Sequence, residues 1–237
     1  MHIEPIQRRA VGLAACAATF AVGYPLLWRT WCLNWGATKA ETARRMPGDE
    51  FLPSAAVVAT RAVTVNAPAR AIWPWLVQMG PHRGGAYTYD WIENLLGLDM
   101  HSADTIIPEF QNLAVGAIQH LGDKGPAMSV EILEPERALV LRSDDGAWVW
   151  AFGLYPCGDV TRLISRNRIS PPHITPASKL FSLYVMEPGS LIMERKMLLG
   201  IKQRAETLAR GALATASPAG PAPALQQRGA SPAAEPR

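Results

Sequence analysis

The chain has 237 residues and a formal net charge of +3, which suits one domain of about 150–170 residues with terminal segments. The basic residues are not gathered into a patch with interleaved aromatic side chains, which argues against nucleic-acid binding. The three cysteines, Cys16, Cys32 and Cys157, have neither CxxC nor Cys/His ligand spacing. This pattern argues against a disulfide framework and fits a reducing compartment.

A membrane anchor is the first predicted element, within residues 1–30. Ala10–Trp28 has no charged residue over 19 positions, a length that just spans a bilayer as a helix. A cleaved signal peptide is the competing interpretation, but no small-x-small cleavage site directly precedes Trp28-Arg29-Thr30-Trp31. The many alanines also leave a peripheral or buried helix open. Basic residues are more numerous after the span, which favours a single-pass protein with a cytoplasmic domain; they are Arg29, Lys39, Arg44 and Arg45, against Arg8 and Arg9.

Residues 31–54 are predicted to connect this anchor to the folded domain, which spans residues 55–211. Within the connector, Thr38 and Glu41 have the spacing of a capping box, which predicts a short helix over Thr38–Arg45. Pro47-Gly48-Asp49 ends that helix. Residues 212–237 are rich in Ala, Pro and Gly without an apolar period, so we predict a disordered tail.

The domain begins with a predicted strand at Val57–Asn66, followed by a helix that Pro68 starts and that runs to Met79. Ile72, Trp73, Leu76 and Val77 form its apolar face, and Pro74 is predicted to kink it. β-Propensity and turn signals such as Asp144-Asp145-Gly146 predict the later strands. These are Leu113–Leu121, Ala127–Leu133, Ala138–Arg142, Ala147–Tyr155 and Thr161–Ile169.

Two of the strands have faces of unusual character. Trp148, Trp150, Phe152 and Leu154 alternate with smaller residues, so four bulky side chains share one face and predict a deep core or a cavity wall. On the last strand the alternate residues are basic, and we predict a solvated outer face for them. They are Arg162, Arg166 and Arg168.

A long helix is predicted from Ser190 to Leu208, because its apolar residues return at intervals of three, four and seven. Glu194 falls on the same stripe, between Leu191 and Leu198. Two interpretations stay open for this carboxylate. It is either a polar group inside a cavity or a first-turn residue that water reaches and the helix dipole favours.

The stretch Trp73–Gln111 is rich in aromatic and ionisable residues, which indicates either a lid over a pocket or a plug in the core. Asp90 and Glu93 have capping-box spacing, and Gly97 follows at the position of a left-handed cap. Together they predict a short helix over Trp91–Leu96.

Several runs in this chain resemble bacterial proteins of the SRPBCC or START-like superfamily, also called Bet v 1-like, many of which are described as polyketide cyclase/dehydrase-like. The resemblance covers roughly Trp31 to Arg210 and identifies the subgroup better than the activity. It implies an α+β helix-grip fold, in which a curved antiparallel sheet wraps a long C-terminal helix around a hydrophobic cavity. The runs are WPWLVQMG (73–80), RGGAYTYDWIENLLGLDMHSAD (83–104), IIPEFQNLAVG (106–116), TRLISRNRIS (161–170) and MERKMLLGIKQRAE (193–206).

No motif of a known catalytic class is present, since HExxH, GxSxG, P-loop and GxGxxG patterns are all missing. The sequence predicts no cofactor and no metal; Asp99, His101 and Asp104 are interpreted as a polar loop. The candidate ligand-binding residues line the expected cavity or could orient a ligand there. They are Arg83, Tyr87, Tyr89, Asp90, His101, Trp148, Trp150 and Glu194.

Three functions are therefore carried forward. The first is a membrane-anchored domain that binds a hydrophobic small molecule or lipid. The second is a cyclase/dehydratase-like enzyme, which requires at least two of Arg83, Tyr87, Tyr89, His101 and Glu194 to converge on one point. The third is a structural or interaction domain whose own side chains fill the cavity, leaving an exposed apolar patch.

Overall fold

One antiparallel sheet of six strands forms the framework of the protein in the computed structural model. The structure describes residues 23–95, 97–121, 125–171, 173 and 175–216. The strand order is β1-β6-β5-β4-β3-β2, and a bulge between Val130 and Ile132 shifts the β3–β4 register. The strands are β1 Val57–Val65, β2 Ile118–His120, β3 Ala127–Glu134, β4 Ala138–Ser143, β5 Trp148–Cys157 and β6 Val160–Ile169.

The predicted strands are confirmed within two residues at each end, except that β2 retains only the last part of Leu113–Leu121. Six α-helices accompany the sheet in the described ranges, together with 3₁₀ turns at Asp49–Phe51 and Pro108–Phe110 and π-helical turns at Tyr24–Trp28 and Ser182–Met186. The helices are α1 Arg29–Leu33, α2 Lys39–Ala43, α3 Ala69–Val77, α4 Asp90–Leu95, α5 Pro176–Phe181 and α6 Glu187–Ala216.

Helix α6 lies against the inner face of the sheet, and the two elements enclose the main core. Met197, Leu198, Ile201 and Ala205 of α6 are fully buried, whereas Leu208 is 38% exposed and ends the predicted stripe. The bulky face of β5 is confirmed as an inner face, because Phe152 and the residues around it join this core. A sheet gripping a long C-terminal helix is the helix-grip fold, and the predicted α+β class is confirmed.

The outer face of the sheet is covered by the connector rather than by water. Met46, Phe51 and Leu52 pack over a second apolar cluster that includes Val149 and Ile164. A capping box starts helix α2 as predicted, because Glu41 N donates to Thr38 Oγ1 at 3.2 Å and Thr38 N donates to Glu41 Oε2 at 2.7 Å. The connector also lies along the edge of β1, where Ala62 N donates to Trp35 O at 3.1 Å.

The prediction of a solvated arginine face on β6 is therefore wrong. Arg166 is 2% exposed and binds Asp49 Oδ2 at 2.8 Å, together with the Thr60 hydroxyl and three connector carbonyls. Arg168 pairs with Asp49 and donates to two more carbonyls. Arg162 pairs with Glu41, and this guanidinium lowers the pKa of the Glu41 carboxyl to about 2. The arginines fasten the connector to the sheet.

Most of the predicted anchor, Ala10–Trp28, lies outside the described residues, as does the predicted tail beyond Ala216. Within the described ranges, no helix combines the length and the apolar character needed to cross a membrane. At the described end of the segment Tyr24 is buried, and Cys32 and Leu33 of the following helix α1 are buried as well. Arg29 makes two hydrogen bonds of 2.9 Å to the carboxylate of Glu187 at the start of α6.

Candidate functional site

A cavity of about 530 Å³ lies between the inner face of the sheet and the N-terminal half of α6. Its walls are mainly apolar. Strands β1, β5 and β6 and helix α6 supply most of them, together with the 86–93 segment and the π-helical turn Ser182–Met186. The apolar lining includes Val57, Ala59, Trp148, Trp150, Ile169, Met186, Met193 and Met197.

The polar part of one wall is a buried ion pair between Arg61 of β1 and Glu194 of α6. Arg61 is fully buried, and its Nη1 donates to Glu194 Oε2. The remaining guanidinium nitrogens donate to Cys32 O at 3.2 Å and to Ser190 Oγ at 3.0 Å. Asn167 Nδ2 donates to both Glu194 oxygens at 3.2 Å. Burial raises the pKa of Glu194, and the Arg61 charge opposes this rise.

The two tryptophans of the cavity are fixed by strand β6 beside them. Trp148 Nε1 donates to Asn167 Oδ1 at 2.7 Å, and Trp150 Nε1 donates to Ser165 Oγ at 3.0 Å. Their rings stack with centroids 5.7 Å apart and an interplanar angle of 19°. Because both indole N–H groups already donate a hydrogen bond, the rings present only apolar surface to the cavity.

Sequence reasoning missed Arg61, although a local signal exists. Ala59, Arg61, Val63 and Val65 share one face of β1, and the other three are buried hydrophobic residues. A lone arginine on a buried, otherwise apolar strand face predicts a buried anionic partner, because an unpaired buried charge is strongly destabilising. The first-turn, water-reached interpretation of Glu194 is wrong for the same reason, since this carboxylate is 7% exposed and pairs with Arg61.

A second carboxylic acid, Glu93, lines the cavity from helix α4. The capping box predicted for Asp90 and Glu93 does not form, although Gly97 has the predicted left-handed conformation with φ +77°. Asp90 instead accepts from the backbone N and the hydroxyl of Ser102 at 2.8 and 2.6 Å. The Glu93 side chain is therefore not engaged at the helix start. It lies 5% exposed, and burial raises the pKa of its carboxyl.

Of the candidate residues taken from the sequence, Trp148, Trp150 and Glu194 line the cavity, and the other five do not. Arg83 donates to Val77 O and Phe110 O and lines a separate pocket of about 430 Å³. Tyr87 donates to Trp75 O at 2.9 Å, and burial raises the pKa of its hydroxyl. Tyr89 is 36% exposed beside Lys196. Asp90 binds Ser102 as described.

His101 is 78% exposed and pairs with Asp99, which also contacts His82. Asp104 pairs with Arg204 instead. In the part of the chain that the structure describes, no group of three His, Cys, Asp or Glu side chains could hold a metal ion. The convergence required of the acid–base set is not met, because among those five residues only Glu194 reaches the cavity.

The substitution Glu93→Gln is expected to stabilise the protein relative to wild type by an amount that grows with pH. The folded protein retains a proton on Glu93 that the unfolded chain releases around 4.5, so wild-type stability falls as the pH rises from 4.5 through the folded pKa. Urea unfolding of both proteins across this range measures the difference.

Glu41→Gln is the matched control, because the pKa of Glu41 is lowered and its stabilisation is lost as the pH falls from 4.5 towards 2. This variant should be less stable than wild type at neutral pH and approach it in acid. A Glu93→Gln difference that is constant with pH would contradict the assignment of a raised pKa.

Comparison with family models of protein sequences and with curated proteins finds no match. Similar solved structures include the KanY protein, at 13% identity and a TM-score of 0.44, over 63% of this chain and 97% of that one. A protein from Mesorhizobium loti is similar at 19% identity and a TM-score of 0.36, over 62% and 97%. A polyketide cyclase-like protein from Corynebacterium glutamicum is similar at 16% identity and a TM-score of 0.32, over 67% and 92%. At these identities the likeness concerns the fold and carries no information on ligand or reaction.

Proposed function

We propose that this chain, whose helix-grip fold resembles that of the START-like superfamily, binds a hydrophobic small molecule or lipid in the cavity between sheet and helix. The observation that supports this is the cavity itself, because about 530 Å³ lined mainly by apolar side chains is the volume and character of a small-molecule site. Trp148, Trp150 and Met193 supply apolar contact area, and Ala59 leaves room beside them.

The Arg61–Glu194 pair determines which charge this cavity favours in a ligand. Besides binding Glu194, Arg61 donates hydrogen bonds to Ser190 and to a backbone carbonyl. Besides binding Arg61, Glu194 accepts hydrogen bonds from Asn167. Breaking the pair for a ligand's carboxylate or phosphate would leave Glu194 as an uncompensated buried charge. The pair therefore acts as a fixed polar end of the site, and an uncharged ligand is favoured over an anion.

Native mass spectrometry of the full chain, purified from cells and followed by solvent extraction, tests the proposal. We expect an apolar molecule to co-purify in stoichiometric amount with the wild type. Ala59→Phe places a phenyl ring in the cavity and is expected to weaken the binding of the extracted molecule by at least about tenfold in Kd, the effect of about 1.4 kcal/mol in binding free energy.

Ala40→Phe is the control, because Ala40 is exposed on helix α2, away from the cavity lining. A wild-type protein that stays empty after incubation with lipid and polyketide extracts, or an Ala59→Phe variant that binds the extracted molecule as tightly as the wild type, would remove the proposal. Circular dichroism of both variants establishes that the fold is kept.

The acid–base residues named from the sequence do not converge, so a cyclase/dehydratase-like enzyme built on them is dropped. An enzyme stays the second candidate through a different residue, Glu93. A buried carboxyl whose pKa is raised is suited to general acid–base work in a cavity. Turnover of a co-purified molecule that Glu93→Gln abolishes would favour the enzyme over a binding protein. The third function, a domain with a filled interior, is disfavoured by the open cavity.

Membrane attachment through the N-terminal segment, with the domain on the cytoplasmic side, is part of the same proposal. The described end of the uncharged run and helix α1 after it expose large apolar side chains, and so does the 180–186 segment, which packs beside them through Tyr24 and Tyr184. Tryptophans in such a surface suit the membrane interface. The exposed side chains are Leu26, Leu27, Trp28, Trp31, Leu180, Phe181, Val185 and Met186.

Flotation of the full chain with phosphatidylcholine vesicles measures the attachment. The double substitution Ala14→Arg/Ala18→Arg puts two charges into the uncharged run and is expected to abolish flotation, since arginine at the centre of a span costs about 2.5–3.5 kcal/mol. Gln226→Arg/Gln227→Arg carries the same charges near the C-terminus and should still float. Equal flotation of the two variants would contradict the anchor.

A further inference from the structure

Thr88 and Glu93 are two residues of the cavity wall, and each has a buried polar atom, the Thr88 hydroxyl and Glu93 Oε2, without a hydrogen-bond partner in the described part of the chain. Both are buried, and they belong to the same segment, where Thr88 lies two residues before the start of helix α4. The Thr88 hydroxyl lies close enough to the Glu93 carboxyl to lower its pKa, against the larger effect of burial. Buried polar atoms are normally satisfied, so an unmet pair on a cavity wall calls for a partner.

The other charged groups of the lining are already satisfied. Glu194 pairs with Arg61, Glu187 with Arg29, and Asp145 accepts from Ser143 Oγ at 2.6 Å and Ala147 N at 2.9 Å. Among the acidic residues of the described lining, Glu93 is thus the one whose carboxyl keeps a buried oxygen without a partner. A ligand that enters this cavity meets its unmet polar groups at Thr88 and Glu93.

We infer that Thr88 and Glu93 form a polar subsite that recognises a hydroxyl or carbonyl oxygen on an otherwise apolar, uncharged ligand. The inference rests on the proposed function and names the chemistry of its ligand. A protonated carboxyl has one O–H donor and acceptor lone pairs, and the threonine hydroxyl both donates and accepts. This pair matches an alcohol, which donates and accepts, or a ketone, which accepts two hydrogen bonds.

Charged head groups fit this subsite less well. A carboxylate would lie beside Glu93 with no free cation, because the guanidinium of Arg61 is saturated by Glu194, Ser190 and Cys32 O. An ammonium would require Glu93 to ionise in a mainly apolar cavity, where burial favours the protonated carboxyl. The subsite therefore selects for uncharged oxygen.

Displacement of the fluorescent apolar probe N-phenyl-1-naphthylamine from the full chain tests the inference. The competitors are 1-decanol, 2-decanone, decanoate, decylamine and the hydrocarbon decylbenzene. For the wild type we expect the alcohol and the ketone to bind more tightly than decanoate and decylamine. Tighter binding of decanoate or decylamine than of both uncharged probes would overturn the inference.

Variants locate the effect. Thr88→Val and Glu93→Met keep the size of each side chain and remove its hydrogen-bonding groups, so each is expected to weaken decanol about tenfold, the equivalent of one hydrogen bond. Decylbenzene should be unchanged by both. Glu93→Gln keeps a donor and an acceptor and should bind decanol within about threefold of wild type.

The two levels of the proposal fail in different ways. Equal losses of decanol and decylbenzene, or no loss of either, would overturn the polar subsite while leaving an apolar binding site in place. A wild-type protein that binds neither N-phenyl-1-naphthylamine nor decylbenzene would remove the binding function, and the subsite with it.

Discussion

Replacing Arg61 with methionine lowers the expected free energy of unfolding by about 3–5 kcal/mol, the cost of breaking a buried ion pair by removing one partner. Methionine fills the space of the arginine stem but leaves Glu194 without its cation, and Cys32 O and Ser190 Oγ without a donor. Glu194 can escape part of this cost by taking a proton. The destabilisation should therefore shrink as the pH falls, and urea unfolding at several pH values measures both effects.

The double variant Arg61→Met/Glu194→Leu is the control that separates charge from packing. When both charges leave together, no uncompensated ion remains, and such replacements are often close to neutral. We expect the double variant to recover most of the stability that the single variant loses. A double variant as unstable as Arg61→Met would show that the arginine stabilises the fold through its packing or its carbonyl contacts alone.

Arg166→Met is expected to cost about 3–5 kcal/mol, mainly because it leaves three carbonyl acceptors of the connector unmet, and also because it breaks a part-buried pair with Asp49. The second consequence is local. Without Arg166 the connector loses its main attachment to the outer face of the sheet, so limited proteolysis should cut within residues 39–53 before the domain unfolds.

The matched control is Arg137→Met, which removes an arginine that is 79% exposed and lies 3.9 Å from Glu134. Surface pairs of this kind contribute little to stability, so this variant should unfold like wild type and resist protease equally. If Arg166→Met behaved like Arg137→Met, the connector would be held by its apolar contacts through Met46, Phe51 and Leu52 and not by charge.

Local patterns in the sequence predicted most of the sheet. Alternation placed Trp148, Trp150 and Phe152 on one face of β5 because strand side chains alternate whatever lies around them. The Thr38–Glu41 capping box is equally local and was correctly predicted. The same spacing wrongly predicted a capping box at Asp90. The Asp90 carboxylate instead accepts two hydrogen bonds from Ser102, which lies twelve residues further on. Spacing alone contains no information on that competitor.

The site was harder to predict because its contacts are distant in sequence. Arg61 and Glu194 are 133 positions apart, and no local pattern relates them. Glu194 was identified by its place on the helical stripe, but its partner was not. The arginines of β6 looked solvated because alternating charge usually marks an outer face, whereas here the connector brings Glu41 and Asp49 to them. Arg83 and Tyr87 have side chains of a kind that often binds ligands, but here they donate hydrogen bonds to backbone carbonyls instead.

The contacts that cover the edge strands of the sheet also affect its tendency to aggregate. A bare edge strand is a template for another chain, and β1 and β2 are the two edges of this sheet. β2 is only three residues long, and the C-terminal half of β1 is occupied, since Ala62 N donates to Trp35 O, Thr64 O accepts from Lys202 and Asn66 N donates to Glu206. The Trp35 contact comes from the connector and the other two come from helix α6. A protein whose connector detaches would therefore free Ala62 N for pairing with another chain, so the segment that precedes the domain also helps to keep separate copies apart.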